Sequence, residues 1–132
     1  MSSNTQRPLS PHLSVWRWGP AMTVSILHRI TGGAITVAGL GVLTWWLMTL
    51  AKGSDAYGDF SAIAANWVGL VVLIGLTWAF FQHTLSGIRH LVTDAGENFE
   101  IGANKTSAIL TVVVSVVLTA ALWFYILEGS AK

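Results

Sequence analysis

The sequence predicts an all-α integral membrane protein with three transmembrane helices and an irregular cytoplasmic N-terminal arm. Two observations carry this. The 132-residue chain is 53% hydrophobic and only 10% charged, far from the balance of a water-soluble domain. Its acids and bases also gather in four short zones that leave three uncharged runs: Ile30–Ala51 (22 residues), Phe60–Ile88 (29) and Thr106–Leu127 (22). A bilayer-spanning helix needs about 20 mostly apolar residues. Each run qualifies, and three passes use most of a chain whose length suits one domain, residues 1–132.

The elements follow in order. Residues 1–21 form the arm, because Pro8, Pro11 and Pro20 all fall there and proline breaks helices and lacks a backbone donor. Trp16 and Trp18 are placed at headgroup depth. The first span covers 22–51 and starts just after Pro20, a favoured early-helix residue. The stretch "KGSDAYGD" reads as a short outer loop. The second span covers 61–93, the polar "AGENFEIGANK" is the inner loop, and the third span covers 106–127. Trp45, Trp46, Trp67, Trp123 and Tyr125 cluster near the outer ends, as an aromatic belt does. Gly32, Gly33, Gly39 and Gly41, with Gly69 and Gly75, permit close helix approach, either within the chain or to a partner subunit.

Three spans put the termini on opposite sides. Arg7, Arg17, Arg29, Arg89 and Lys105 share one side, against Lys52 and Lys132 on the other. The excess predicts a cytoplasmic N-terminus, and a bacterial inner membrane is the simplest home. The first run starts too late and runs too long for a cleaved signal peptide. Net charge is +1 and cysteine is absent. The first gives no reason to expect nucleic acid; the second excludes disulfides, covalent c-type haem and cysteine-ligated clusters on this chain. There is no nucleophile–base pair and no phosphate loop.

Ionisable groups in a membrane helix are costly and therefore functional candidates. On the second span His83, Ser86, Gly87 and His90 fall on one helical face. The two histidines are about 10 Å apart along the axis, too far to bind one iron together. His83 lies deeper, about 9 Å along the axis from Arg89, and a neutral imidazole there suits the axial position of a haem iron. Gly87 leaves room for a flat macrocycle, and His90 sits at the water boundary. The competing reading of His83 is a hydrogen bond to another helix. A bis-histidine site needs a second imidazole, from His28 or from a partner chain. On the first span Ser25, His28 and Arg29 form another polar face, able to hold carboxylates or polarise a carbonyl. Arg29 alone would equally serve as a cation that snorkels to the headgroups.

Three stretches, "RPLSPHLSVWRW", "SILHRITGG" and "HTLSGIRHLVTD", resemble the cytochrome b556 membrane-anchor family of succinate dehydrogenase (complex II). They cover the arm and the first two spans; the third resembles the family only in hydropathy. The resemblance implies one of two small anchor subunits in a four-subunit complex. There a flavoprotein subunit oxidises succinate, and an iron–sulfur subunit passes electrons to ubiquinone at the membrane boundary. It implies a haem b shared between the two anchors, each giving one axial histidine. His83 matches the haem ligand, His28 and Arg29 the residues near the haem propionates, and Ser25 and Arg29 the quinone site. Asp94 matches an acid of the same motif without an assigned role. The second axial ligand and a quinone-binding tyrosine belong to the other anchor. Thr93 stands where many relatives carry tryptophan. The same architecture serves as a quinol:fumarate reductase anchor, and a haem-free structural anchor is the alternative from another class.

Overall fold

A computed structural model describes residues 17–130; the arm up to Trp16, with His12, lies outside the described residues. Helix α1 (Pro20–Ala34) is preceded by extended Gly19 and has proline in its first turn, where the missing N–H costs nothing. A single π-turn (Ile35–Gly39) joins it to α2 (Leu40–Lys52) without interrupting the rod. Together they make a 33-residue span, Pro20–Lys52.

The stretch expected as an outer loop is mostly helical. Gly53, at φ 107, ends α2, a backbone state that suits glycine. Helix α3 (Ser54–Ala65) starts on the next residue, with Asp55 in its first turn, where the helix dipole favours a carboxylate. The expected start of the second span at residue 61 is corrected as well. Asn66 adopts an extended conformation and its side chain accepts from the Val68 N–H at 3.2 Å, a helix N-cap. Helix α4 (Trp67–Asp94) begins there. The tight α3–α4 corner depends on Gly69: any Cβ on it would overlap the carbonyl oxygens of Ile63 and Ala64.

Helix α4 ends in a Schellman motif. Gly96, at φ 93, donates to the Thr93 carbonyl, and Glu97 donates to that of Val92. Helix α5 (Ile101–Ser130) starts five residues before the expected Thr106, because Asn104 and Lys105 belong to a first turn that need not enter hydrocarbon. Helix α4 packs against both α1 and α5, α1 also touches α5, and α3 rests on α2 and α4.

The packing is inverted relative to a water-soluble bundle. Thr31, Thr49, Gln82, Ser86, Thr111, Ser115 and Thr119 are buried, whereas Val37 is 78% and Phe124 69% exposed. Small polar residues inside and large apolar ones outside suit helices whose solvent is lipid. With the three long apolar helices, this makes the chain a multi-pass membrane protein. Cross-helix hydrogen bonds tie α4 to α5. Trp78 Nε1 donates to Ser115 Oγ (3.1 Å), Ser115 Oγ to Gln82 Oε1 (2.9 Å), and Trp123 Nε1 to Thr77 Oγ1 (3.2 Å). At the arm end Arg89 donates through Nε to Ser107 Oγ (3.1 Å) and through Nη2 to Asn104 Oδ1 (2.9 Å). Arg89→Ala removes both ties at once. It is expected to destabilise the α4–α5 hairpin by about 1–3 kcal/mol, read as a lower melting temperature of the detergent-solubilised protein. Arg89→Lys, which keeps the charge but not the fork, should recover only part of that.

Candidate functional site

The arm end of the bundle gathers three imidazoles from two helices. His28 projects from α1, one turn after Val24, which is only 1% exposed and seats this part of the helix in the bundle. On α4, His83 lies about three turns before the C-terminal end and His90 about one turn before it. The His28 and His83 rings stack with centroids 4.0 Å apart and planes within 7°. His90 leans on the other side of the cluster, 4.9 Å from His28 and tilted by 33°.

Hydrogen bonds fix two of the rings. His83 Nδ1 lies 3.0 Å from the His28 carbonyl oxygen. A carbonyl only accepts, so Nδ1 carries the proton, and in the neutral ring the lone pair is then on Nε2. Thr31 Oγ1 stands 3.4 Å from the same Nδ1 and is itself held by a 2.7 Å bond to the Leu27 carbonyl. His90 Nδ1 donates to the Ser86 carbonyl at 2.7 Å. His28 Nδ1 is buried with no hydrogen-bond partner.

Gly32 makes the cluster possible. A Cβ there would lie 2.9 Å from His83 Cε1 and 3.3 Å from its Nδ1. The imidazole thus occupies space that any other residue would fill. At Gly87 the nearest atom to an added Cβ is His28 Cε1 at 3.9 Å, an ordinary contact distance, so this face of α4 looks toward α1.

The geometry separates the candidates further. The face-to-face stacking leaves no space between the His28 and His83 rings for a flat group. Among the described residues no group of three His, Cys, Asp or Glu side chains converges on a metal ion, so the three imidazoles do not form a metal cage. Ser25 is half-buried and Arg29 exposed. They share a face of α1 turned roughly 60–100° away from His28, toward the outside of the bundle. Among the described residues no hydrogen bond engages either side chain. Asp94 is exposed on the last residue of α4.

A groove of about 890 Å³ runs from the π-turn toward the other membrane face, lined by Ile35, Phe80, Phe81 and Trp46 among others. Its hydroxyls, Thr36 and Thr77, are turned back onto the carbonyls of Gly32 and Leu73. It offers no titratable group, whereas the imidazoles of the described residues gather at the arm end. Sequence reasoning missed Gly32 and Thr31 as partners of His83. The double glycine after "HRIT" was a visible signal for close approach, but not for what approaches.

Three long apolar helices around a polar interior, with the imidazoles of the described residues gathered at one end, define a multi-pass membrane protein. Comparison with known proteins narrows the class. Residues 3–122 match the family of succinate dehydrogenase/fumarate reductase transmembrane subunits. The chain is 43% identical over 121 residues to the succinate dehydrogenase cytochrome b556 subunit of Paracoccus denitrificans, covering 89% of this chain and 92% of that one. It is 39% identical to the b556 subunit of Rickettsia felis (89% and 91% covered). To the mitochondrial cytochrome b560 subunit of Bos taurus it is 31% identical (92% and 73% covered). The chain belongs to the succinate dehydrogenase/fumarate reductase transmembrane subunit family.

Proposed function

We propose that this chain is the haem- and quinone-binding membrane anchor of a succinate:quinone oxidoreductase, with His83 as one axial ligand of a b-type haem. The observation that carries the proposal is the Nδ1–H of His83 donating to the His28 carbonyl. It locks the tautomer whose Nε2 lone pair can bind iron, and a backbone acceptor on the far nitrogen is how ligating imidazoles are commonly oriented. When bound, a haem supplies one-electron exchange within the membrane. The second axial imidazole comes from a partner anchor subunit, a reading supported by the stacking of His28 on His83. The buried, unpaired Nδ1 of His28 and the guanidinium of Arg29 suit the propionates.

The Ser25–Arg29 face suits the quinone. A hydroxyl and a cation one helical turn apart can donate to a carbonyl oxygen and stabilise the negative charge that develops on it during reduction. The proposal places this end at the inner surface of a bacterial cytoplasmic membrane, with the N-terminus cytoplasmic, in line with the excess of arginine and lysine there. Iron–sulfur and flavoprotein subunits dock on that side and bring electrons from succinate. The cytochrome b556 and b560 names of the relatives support the haem. Run in the opposite direction, the same site serves a quinol:fumarate reductase; the potentials of the quinone and of the partner subunits set that direction.

The purified complex is expected to show a b-type reduced-minus-oxidised spectrum. Arg29→Ala and Ser25→Ala should each lower succinate-driven quinone reduction, by about 10- to 100-fold for the arginine, the loss of one hydrogen bond from a charged donor. Reduction of a soluble dye should persist. Equal loss of both activities would instead mean failed assembly and would remove these residues from the quinone site.

A further inference from the structure

The seam between α4 and α5 is built from polar side chains that neither haem nor quinone binding uses. On α5, Asn104, Ser107, Thr111, Ser115 and Thr119 recur every three or four residues and face α4. On α4 they meet Trp78, Gln82, Ser86 and Arg89. Most of these groups are paired. Ser115 Oγ accepts from Trp78 and donates to Gln82 Oε1, and Ser107 Oγ accepts from Arg89 and from Asn98 Nδ2. Two are not. Gln82 and Ser86 are both 0% exposed, and Gln82 Nε2 and Ser86 Oγ have no hydrogen-bond partner.

These two atoms belong to residues four apart on one helix face, about 6 Å along the axis. Inside a bundle in lipid neither can turn to bulk water, and two buried polar groups left dry are unfavourable. Turning the Gln82 amide over would let Ser115 accept from Nε2 while donating to the Val112 carbonyl at 2.8 Å, but it would leave Oε1 in the place of Nε2, so one polar atom of the amide needs a further partner in either orientation. We infer that an internal water molecule is bound between Gln82 Nε2 and Ser86 Oγ, accepting from the amide and hydrogen-bonding the hydroxyl. A site with polar groups on both sides and no access from outside is where proteins keep such waters. His28 Nδ1, the third buried unpaired atom among the described residues, belongs to the histidine cluster.

The water has a structural consequence. Ser86 supplies the carbonyl that holds His90, while Gln82 is tied through Ser115 to α5. Both residues lie on α4, so the bridge satisfies two buried groups on one face of that helix, and the tie to α5 remains the Gln82–Ser115 bond. It does not build a proton path. The seam runs into the Trp78 indole, which only donates, and the Gln82 amide, which does not exchange roles as a hydroxyl does.

The test uses the assembled complex in lipid nanodiscs and a map that resolves ordered waters. The expected result is a water peak within hydrogen-bonding distance of both Gln82 Nε2 and Ser86 Oγ, absent in Ser86→Ala. Gln82→Leu and Ser86→Ala should each lower the melting temperature. The double variant should melt no lower than the worse single one, because either change empties the same site. An empty gap in the wild-type map, with the Ser86 hydroxyl on the Gln82 carbonyl, overturns the inference. So does a partner-subunit or cofactor atom at that point, or strictly additive losses. The map reads the seam whether or not His83 carries iron, so this result and the haem spectrum stand or fall separately.

Discussion

His83→Ala is expected to abolish or strongly perturb the b-type absorbance of the purified complex. The expected effect is large because one side chain serves two purposes. Its Nε2 is the free nitrogen once Nδ1–H is committed to the His28 carbonyl at 3.0 Å, and its ring is the stacking partner of His28 at 4.0 Å. Truncation removes the ligand and frees the imidazole proposed to face the propionates. His90→Ala is the control. That ring stands at the exposed end and its Nδ1 is held by Ser86, so absorbance should be retained with at most a small band shift. Subunit masses read on the same sample show whether the complex is intact. An unchanged reduced-minus-oxidised spectrum in His83→Ala, with all subunits present, would eliminate the axial role.

The architecture was legible because charge is excluded from lipid whatever the tertiary structure. Arg29 and Lys52 bracket the first uncharged run and Arg89 closes the second, so three passes could be read before any packing was known. Boundaries were less legible, since a span and a surface helix share one local conformation. Ser54–Ala65 is helical although its charges keep it from crossing, and only the Asn66 cap separates it from α4. A capping asparagine before "WVGLVV" was visible, but an apolar run on both sides masked it.

The histidine cluster was legible only in halves. Helical spacing places His83 with His90 on α4, and Ser25 with Arg29 on α1. It says nothing of how α1 is rotated against α4, so the contact between His28 and His83, 55 residues apart, could not be read from either helix. Rotation also separates residues that spacing had grouped: His28 stacks on His83 of α4 while Arg29 is exposed. The buried polar residues escaped for a similar reason. A serine in an apolar run looks like a tolerated interruption until its neighbours are known, and Ser86 and Ser115 proved fully enclosed.

Gly32→Val should remove the haem signal nearly as fully as loss of His83, although it deletes no polar group. A Cβ at Gly32 would stand 2.9 Å from His83 Cε1, closer than real side chains tolerate, and both neighbours are ring atoms with no flexible end to yield. The ring must move, and a shift of a few tenths of an ångström already weakens the bond that fixes its tautomer. Valine adds two further methyl groups in the same direction, an overpacking that costs roughly 1–3 kcal/mol in a close-packed interior. Gly32→Ala should be intermediate, with a shifted or partial b-type spectrum. The adjacent Gly33 supplies the comparison, since a Cβ there meets nothing within 4 Å. Gly33→Ala should leave the spectrum as it is, even though the two positions carry the same residue and the same helix propensity. Full haem content in Gly32→Val would mean that the His83 ring does not sit against α1 in the assembled complex. The tautomer argument, which depends on that contact, would then fall with it.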